Sequence, residues 1–205
     1  MGLYGRYIFP RILDWTMSLP AVAEQRPRAL AEAHGDVLEI GFGTGLNLPY
    51  YPAAVARLTA VDPSAALGKR VGRRIDAARM PVETLHHDAV SLPFDAGRFD
   101  CVTTTWTLCS IADVSAALCE IRRVLKPGGR YLFIEHGRSN DAKIARRQDR
   151  WNRLHRWIAG GCNLNRPIDR LIDAAGLSIT RLERFDLKGV PRRVAPHYLG
   201  SATAM

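Results

Sequence analysis

Three glycines at alternate positions follow an apolar run that ends in a carboxylate, in the segment VLEIGFGTGLN at residues 37–47. Gly41, Gly43 and Gly45 lack the side chains that would stop the backbone from turning tightly out of a strand and approaching a ligand closely. A second apolar run ends at Asp62, about where a dinucleotide-type fold places a carboxylate on a ribose hydroxyl. Together these residues predict a site for an adenosine-containing cofactor.

The glycine spacing narrows the class of cofactor. A dinucleotide fingerprint needs its third glycine three residues after the second, but Leu46 occupies that position and Gly45 comes one residue early. Glu39, two residues before the first glycine, would repel a pyrophosphate, whereas it would hold a cationic amino-acid group by charge and hydrogen bonding. The spacing therefore disfavours a dehydrogenase. An ordinary glycine-rich turn is the alternative without a function.

With Glu39, the glycines and Asp62 in this order, the chain resembles the class I methyltransferases that use S-adenosyl-L-methionine, of the methyltransferase type 11 group. The resemblance implies that the glycines line the methionine and ribose of the cofactor and that Asp62 accepts hydrogen bonds from the ribose. It also implies that Asp88 and Ala89 contact the adenine. The alternative for Asp88 is a role as the N-cap of a following helix, for which Asp is common. The other cofactor-binding residues that we expect are Thr44, Asn47, Pro63 and Thr105.

From Gly35 onwards, strand-like runs alternate with helix-like segments, as is typical of parallel strands with helices on both faces of a sheet. The polar, proline-bearing loop between the last two runs favours an antiparallel hairpin. The class I resemblance implies the same fold, an α/β protein with a seven-stranded, mostly parallel, Rossmann-like sheet and a C-terminal antiparallel hairpin. Strands are predicted at residues 36–40, 58–61, 82–86, 99–104, 129–135, 178–185 and 197–203, and helices at 46–51, 65–78, 114–124 and 142–159.

Residues 1–34 predict a helical cap that precedes the methyltransferase domain at 35–205, the two forming one structural domain. A packed helix is one interpretation of the cap, and a membrane-surface segment is the alternative. In the resemblance, this region forms a lid over the cofactor, and Tyr4 and Tyr7 then contact the substrate. The apolar residues at helical spacing in the cap are Ile8, Ile12, Trp15 and Leu19.

The composition bounds the protein's class. The 205 residues are 47% apolar, enough for one substantial core, and no apolar run is long enough to span a bilayer. With no secretory leader either, we expect a soluble, cytoplasmic protein. Four cysteines without a CxxC pair argue against a zinc site and a disulfide framework, so no metal is predicted. The net charge of +9 is scattered and predicts mainly a solvated surface.

The segment after the fourth strand bears on the acceptor. Methyltransferases that modify amino groups of nucleic acid bases usually show Asp or Asn, two prolines and an aromatic here, and TTTWTLCSI does not supply them. A nucleic acid substrate is therefore disfavoured. Local matches are instead similar to the alkyl thiol methyltransferases of animals, namely LCSI at 108–111, LKPGGRYLFIEH at 125–136, GCNL at 161–164 and RVAPHYLGSA at 193–202. The animal enzymes carry an N-terminal membrane anchor, whereas residues 1–34 here are too polar to span a bilayer.

This resemblance implies a methyl transfer from S-adenosyl-L-methionine to a small, apolar acceptor, with a thiol sulfur as the leading candidate. His136, at the mouth of the fifth strand, is the candidate base that would generate the thiolate; a hydrogen-bonded structural histidine is the alternative. Cys109 and Cys162 are more typical of buried packing groups than of nucleophiles. The residues that we place at the substrate are Tyr4, Tyr7, Trp106, Cys109, Cys162 and Asn163.

Three alternatives stay open at this stage. The acceptor is a phospholipid, a quinone or another small molecule methylated on N, O or C, or the chain is a non-catalytic regulatory protein that retains the cofactor pocket. The predicted helix at 142–159 has apolar residues near one face and arginines elsewhere, which indicates either core packing or peripheral contact with an anionic membrane. The oligomeric state is not predicted.

Overall fold

One seven-stranded sheet organises the chain in the computed structural model, which describes residues 9–63 and 69–204. The strands are β1 (Gly35–Ile40), β2 (Val55–Asp62), β3 (Val82–His86), β4 (Phe99–Thr105), β5 (Leu125–His136), β6 (Leu177–Asp186) and β7 (Pro196–Ala204). Their order in the sheet is β3-β2-β1-β4-β5-β7-β6. The first five strands pair in parallel, and β7 runs antiparallel to both β5 and β6. The predicted, mostly parallel sheet with its C-terminal hairpin is therefore confirmed.

The helices lie mainly in the connections between strands. They are α1 (Phe9–Met17), α2 (Pro20–Ala23), α3 (Gln25–Leu30), α4 (Lys69–Asp76), α5 (Val114–Val124), α6 (Ala142–Ile158) and α7 (Ile168–Ala174). The helix predicted at 46–51 is wrong, because only a short 3₁₀ turn, Leu48–Tyr50, forms there. Pro49 in this turn has no N–H for a helical hydrogen bond. The first residues of the helix predicted at 65–78 lie outside the described residues.

The central strands are buried because helices cover them, which explains their nearly continuous apolar sequences. Leu38 on β1, Val102 on β4 and Phe133 on β5 are each fully buried. Helix α5 packs Leu118 and Ile121 into the same cluster. The strand β5 begins four residues earlier than predicted, because the KPGG turn is accommodated as an irregularity at the start of the strand.

The described part of the N-terminal segment, residues 9–34, forms three short helices rather than one packed helix. Ile12 and Trp15 on α1 are 47% and 67% exposed, so the interpretation of this spacing as a packed face is wrong. Helix α3 instead buries Ala29 and Leu30. In the described part of the chain, no helix combines the length and the apolar character that crossing a bilayer requires.

Helix α6 buries only its first half. Ile144, Ala145 and Gln148 are buried, whereas Trp151 and Leu154 are 46% and 45% exposed. Core packing of the second half of α6, one of the two interpretations of its sequence, is therefore wrong. Its apolar side chains face solvent.

Candidate active site

The glycine loop after β1 turns at the carboxyl edge of the sheet, where parallel strands of an open α/β fold leave a crevice for ligands. Gly41 N–H donates to the carbonyl oxygen of Val61 at 2.8 Å, and Gly43 N–H donates to Oδ2 of Asp62 at 2.8 Å. The loop is thus tied to the end of β2. Gly41, Gly43 and Gly45 have φ values of +81°, +56° and +75°, a conformation that favours glycine.

Gly41 also permits a close approach between two strand ends. A Cβ on Gly41 would lie 2.2 Å from Oγ1 of Thr107, a separation that real atoms do not adopt. A Cβ on Gly43, in contrast, would meet no atom within 4 Å. The backbone at Gly43 therefore borders open space at the edge of the sheet, where a ligand can reach it.

Glu39 lies beneath the loop and is fully hydrogen bonded. Its Oε1 accepts from Nδ2 of Asn47 at 2.7 Å, and its Oε2 accepts from the Tyr51 hydroxyl at 3.0 Å. Asn47 Nδ2 also donates to Oγ1 of Thr105 at 2.9 Å. Burial raises the pKa of Glu39 to about 7, against the hydrogen bonds from Asn47 and Tyr51 that lower it. Both carboxylate oxygens of Glu39 thus accept hydrogen bonds within the protein, and its contact with the cofactor stays a prediction.

The N-terminal helices contribute a buried guanidinium to this cluster. Arg26 on α3 is 3% exposed and donates to Oδ1 of Asn47 at 2.5 Å and to the Met17 carbonyl at 3.1 Å. Its guanidinium also lies 5.0 Å from the ring centre of Trp106. Desolvation lowers the pKa of Arg26, and the nearby Glu39 raises it. The helices of the cap therefore connect the cofactor-side residues to the end of β4.

Trp106, one of the predicted substrate residues, has an unusual backbone conformation. It follows β4 with a φ of +53° and is the only non-glycine residue with a positive φ in the described part of the chain. A left-handed conformation at such a residue costs about 1–2 kcal/mol. Such strain persists where surrounding contacts impose it, and it is concentrated at functional sites.

Three side chains from separate segments converge next to Trp106. Nδ1 of His136 lies 3.6 Å from Sγ of Cys162. The two cysteine sulfurs and a ring nitrogen of His136 all lie within 4.8 Å of one another. Cys109 and His136 are buried, and Cys162 is half-buried. The pKa of the Cys109 thiol is raised, first by its hydrogen bond with Cys162 and then by burial.

Asn163 holds this arrangement together. Its backbone N–H and its Nδ2 donate to the carbonyl oxygen of Cys109 at 2.8 and 2.9 Å. Asn152 on α6 donates to Oδ1 of Asn163 and accepts from the N–H of Leu164. The loop that bears Cys162 is thereby fixed against the loop that bears Cys109.

Comparisons with known proteins agree with this architecture. Residues 38–133 match the family described as a methyltransferase domain. Thiol S-methyltransferase TMT1A of Homo sapiens is 30% identical over 183 residues, which are 81% of this chain and 69% of that protein. A demethylmenaquinone methyltransferase of Clavibacter sepedonicus is 39% identical over 109 residues, 53% of this chain and 44% of that protein. The solved geranyl diphosphate C-methyltransferase of Streptomyces coelicolor A3(2) has a TM-score of 0.68 at 19% identity, covering 90% of this chain and 77% of that one.

The chain belongs to the class I S-adenosylmethionine-dependent methyltransferases. This methyltransferase therefore uses S-adenosyl-L-methionine as its cofactor and releases S-adenosyl-L-homocysteine. The prediction of a methyltransferase is confirmed, and the alternatives of a dehydrogenase and of a non-catalytic binding protein are no longer needed.

The remaining predicted cofactor residues lie at the same edge of the sheet. Asp88 is exposed after β3, and its Oδ1 accepts from the N–H of Val90 at 3.2 Å. No helix follows it between β3 and β4, so the alternative role as a helix cap is wrong. Pro63 is exposed directly after β2, and Ala89 is buried. Cofactor contacts of these residues stay predictions.

Thr44 makes contacts within the protein, and its contact with the cofactor stays a prediction. Its hydroxyl donates to Oδ1 of Asp14 on α1, and its carbonyl oxygen accepts from Nη1 of Arg74 at 2.6 Å. Arg74 on α4 also forms an ion pair with Asp14 at 3.1 Å. The glycine loop is therefore held between the N-terminal helices and α4. The predicted substrate residues Tyr4 and Tyr7 lie outside the described residues.

Sequence reasoning missed several residues of the site. Arg26, Tyr51 and Asp14 stand in segments without a motif, so no local signal indicated that their side chains reach the site. For Glu135, the position at the carboxyl end of β5 could have indicated a site residue. This side chain is fully buried, and its Oε1 accepts from the N–H of Thr107 at 3.1 Å. Burial raises the pKa of Glu135 to about 7.

Proposed function

We propose that this methyltransferase transfers the methyl group of S-adenosyl-L-methionine to the sulfur of a small, apolar thiol. The observation that carries the proposal is the convergence of Cys109, His136 and Cys162. These residues belong to the three motifs, LCS, EH and GCN, that are similar to the alkyl thiol methyltransferases. The identity with thiol S-methyltransferase TMT1A, which covers 81% of this chain, supports the same acceptor class.

Methyl transfer to sulfur makes modest demands on the protein. A lone pair of the acceptor sulfur forms the new bond to the methyl carbon, and the electrons of the sulfonium bond remain on S-adenosyl-L-homocysteine. Holding the reacting atoms in line supplies roughly 7–11 kcal/mol of barrier reduction. The acceptor must also lose its proton, because the thiolate is the nucleophile. His136 as the base for that proton stays a prediction.

A quinone is the second candidate for the acceptor. The match to a demethylmenaquinone methyltransferase has the higher identity, 39%, but covers only 53% of this chain. Because that match extends over a smaller part of the chain, we favour a thiol. Phospholipids and amines are further alternatives without an observation that favours them.

The acceptor is tested by incubating the protein with labelled S-adenosyl-L-methionine and matched alkyl thiols, aryl thiols, phenols, quinols, amines and phospholipids. We expect label in the thioether products of apolar thiols and at least tenfold less in the oxygen and nitrogen analogues. Methylation of a quinol or phospholipid, without methylation of any thiol, would rule out a thiol as the acceptor. Calorimetry with S-adenosyl-L-homocysteine, on the wild type and on Asp62→Asn, verifies that the protein used has a working cofactor site.

We also propose that the protein makes peripheral contact with anionic membranes through the second half of α6. Trp157 is 83% exposed and Ile158 50% exposed, next to the exposed Trp151 and Leu154. Exposed apolar side chains grouped on one helix mark an interaction surface rather than a solvated one. Helix α6 also bears Arg146, Arg147, Arg150, Arg153 and Arg156. Apolar residues with tryptophan on one part of a helix and arginines around them are typical of helices that lie in a membrane interface.

An anionic bilayer fits this surface by charge as well as by polarity. Each basic residue near an anionic leaflet contributes about 1 kcal/mol to binding. An apolar thiol would also partition into the same bilayer, so the enzyme would meet its acceptor there. Cytoplasmic localisation stays a prediction.

A further inference from the structure

A soft ligand set lies at the acceptor side of the site. Sγ of Cys109, Sγ of Cys162 and a ring nitrogen of His136 lie within 4.8 Å of one another. Nδ1 of His136 lies 3.6 Å from Sγ of Cys162. Two thiolates and an imidazole are the donors that zinc takes in proteins, whereas magnesium and calcium take oxygen. The donor chemistry therefore indicates a metal site that the irregular spacing of the cysteines concealed.

The separations suit one tetrahedral ion without a change of fold. Zinc lies about 2.3 Å from sulfur and about 2.0–2.1 Å from nitrogen, which places tetrahedral ligand atoms roughly 3.5–3.8 Å apart. The observed 3.6 Å between His136 and Cys162 falls in this range. The Sγ of Cys109 lies within 4.8 Å of the other two ligand atoms, so it needs to move by no more than about 1.3 Å to reach the tetrahedral separation.

The three ligands come from elements that hold them independently. Cys109 lies in the loop after β4, and His136 is the last residue of β5. Cys162 precedes Asn163, whose bonds to the Cys109 carbonyl connect the two loops. Nδ1 of His136 faces Sγ of Cys162, and Nε2 is buried without a hydrogen-bond partner in the described part of the chain. The set is thus preorganised rather than assembled by the ion.

Two simpler explanations account for less of this geometry. A disulfide between Cys109 and Cys162 needs a sulfur separation of about 2.05 Å and gives no role to the histidine. Plain packing of small apolar thiols explains burial but not an imidazole nitrogen that faces the sulfur of a half-buried cysteine. A metal ion gives all three groups a function.

We propose that Cys109, His136 and Cys162 bind one Zn²⁺ and that the fourth position of the ion takes the sulfur of the acceptor. The second part rests on the proposed thiol methyltransferase function. A thiol that coordinates zinc is deprotonated, and its proton goes to solvent. The bound sulfur then forms its bond to the methyl carbon, the carbon–sulfonium bond breaks towards S-adenosyl-L-homocysteine, and the neutral thioether leaves the zinc. His136 acts as a ligand in this scheme, and no free base is required.

The site is tested first by its metal content. Native protein, stripped with a chelator and titrated with Zn²⁺, should bind one ion per chain, and Co²⁺ in its place should give the absorption of a thiolate-bound tetrahedral ion. Cys162→Ser and Cys109→Ser should weaken Zn²⁺ binding at least hundredfold. The matched control is Cys119→Ser, at an exposed cysteine on α5, which should bind as the wild type does. Calorimetry with S-adenosyl-L-homocysteine shows that each variant is folded.

Failure of the metal site and failure of the thiol function give different results. Native protein without stoichiometric zinc binding, or Cys162→Ser that binds zinc like the wild type, would overturn the site. A Cys109–Cys162 disulfide recovered from metal-free native protein would overturn it too. Equal thiol turnover by zinc-free and zinc-loaded enzyme would contradict a role of the metal in the reaction and would still support thiol methylation. Stoichiometric zinc binding without methylation of any thiol would support the metal site and rule out a thiol as the acceptor.

Discussion

Gly43 and Gly97 show how one residue type has different consequences at two places in the fold. Both have a positive φ, +56° and +66°, and at neither would a Cβ meet an atom within 4 Å. Only Gly43 lies in the loop that donates to Asp62 at the cofactor edge, whereas Gly97 lies in the turn before β4. The space around Gly43 is where we expect the cofactor, and that around Gly97 is solvent.

We therefore predict that Gly43→Ala weakens the binding of S-adenosyl-L-homocysteine at least tenfold, because the new methyl group occupies ligand space. Gly97→Ala should bind the ligand like the wild type. Both should lose about 1 kcal/mol of the free energy of unfolding, since alanine is strained at a positive φ. Calorimetry and urea unfolding measure the two effects. Equal ligand affinity of the two variants would contradict the placement of the cofactor against Gly43.

Helix α6 is buried in its first half and exposed in its second half, although both halves carry apolar residues. Its first turns are fixed by the cap at Asp141, which accepts from the N–H of Lys143 at 2.7 Å, and by the burial of Ile144. Beyond Gln148 the helix leaves the core, and its apolar residues become exposed. Burying these side chains against lipid would stabilise the bound state by roughly 1.5–3 kcal/mol for each one fully buried.

The α6 surface predicts selective binding to anionic vesicles. Wild-type protein should sediment with vesicles of phosphatidylglycerol and phosphatidylcholine, and much less with phosphatidylcholine alone. Replacing Leu154 and Trp157 together by serine should weaken this binding at least tenfold. The control is Leu182→Ser, at a leucine on β6 that is 38% exposed, which should bind like the wild type. Equal binding to both kinds of vesicle, by the wild type and by the α6 variant alike, would contradict the proposal that this surface binds membranes.

The stability of the whole molecule depends on buried groups that titrate in opposite directions. Burial, first, and the nearby His136 lower the pKa of His197 to about 4, so this ring stays neutral in the folded chain. An unfolded histidine takes up a proton near pH 6.5. The unfolded state therefore binds more protons below that pH, and stability falls as the pH falls from about 6.5 to 4.

Glu39 and Glu135 act in the opposite sense. Their pKa values are raised to about 7, so between about pH 4.5 and 7 the unfolded chain has released protons that the folded chain retains. Stability from these two groups is present at low pH and is lost as the pH rises through that window. The measured pH profile is thus a sum of opposing slopes, and a variant is needed to separate them.

We predict that His197→Gln reduces the acid sensitivity of the protein. Between pH 7 and pH 5, wild-type His197 should cost about 2 kcal/mol of the free energy of unfolding, from a pKa of about 4 when folded and about 6.5 when unfolded. Glutamine retains a donor for the Ala195 carbonyl and does not titrate. Urea unfolding at both pH values gives the difference between the two proteins. The same pH dependence in both would show that His197 is not the group responsible.

Local sequence pattern was sufficient to predict those parts of this protein that depend on neighbouring residues. The glycine loop, Asp62 and the alternation of strands and helices were all readable, because backbone freedom and side-chain periodicity act over a few residues. The mostly parallel, seven-stranded sheet with its C-terminal hairpin was also implied by the family resemblance, whereas the order of the strands came from the structure. Local pattern also placed His136 and Cys109 near strand ends, although not near each other.

Which side chains from distant segments meet is evident from the folded chain and not from its sequence. Arg26 reaches Asn47 across 21 positions of the chain, and Cys162 meets His136 across 26. No periodicity encodes such separations, because they depend on how the connections fold back over the carboxyl edge of the sheet. The apolar spacing of α6 likewise could not distinguish core from surface, since both demand the same pattern along a helix. The packing of the folded chain distinguishes the two, because Trp157 is 83% exposed.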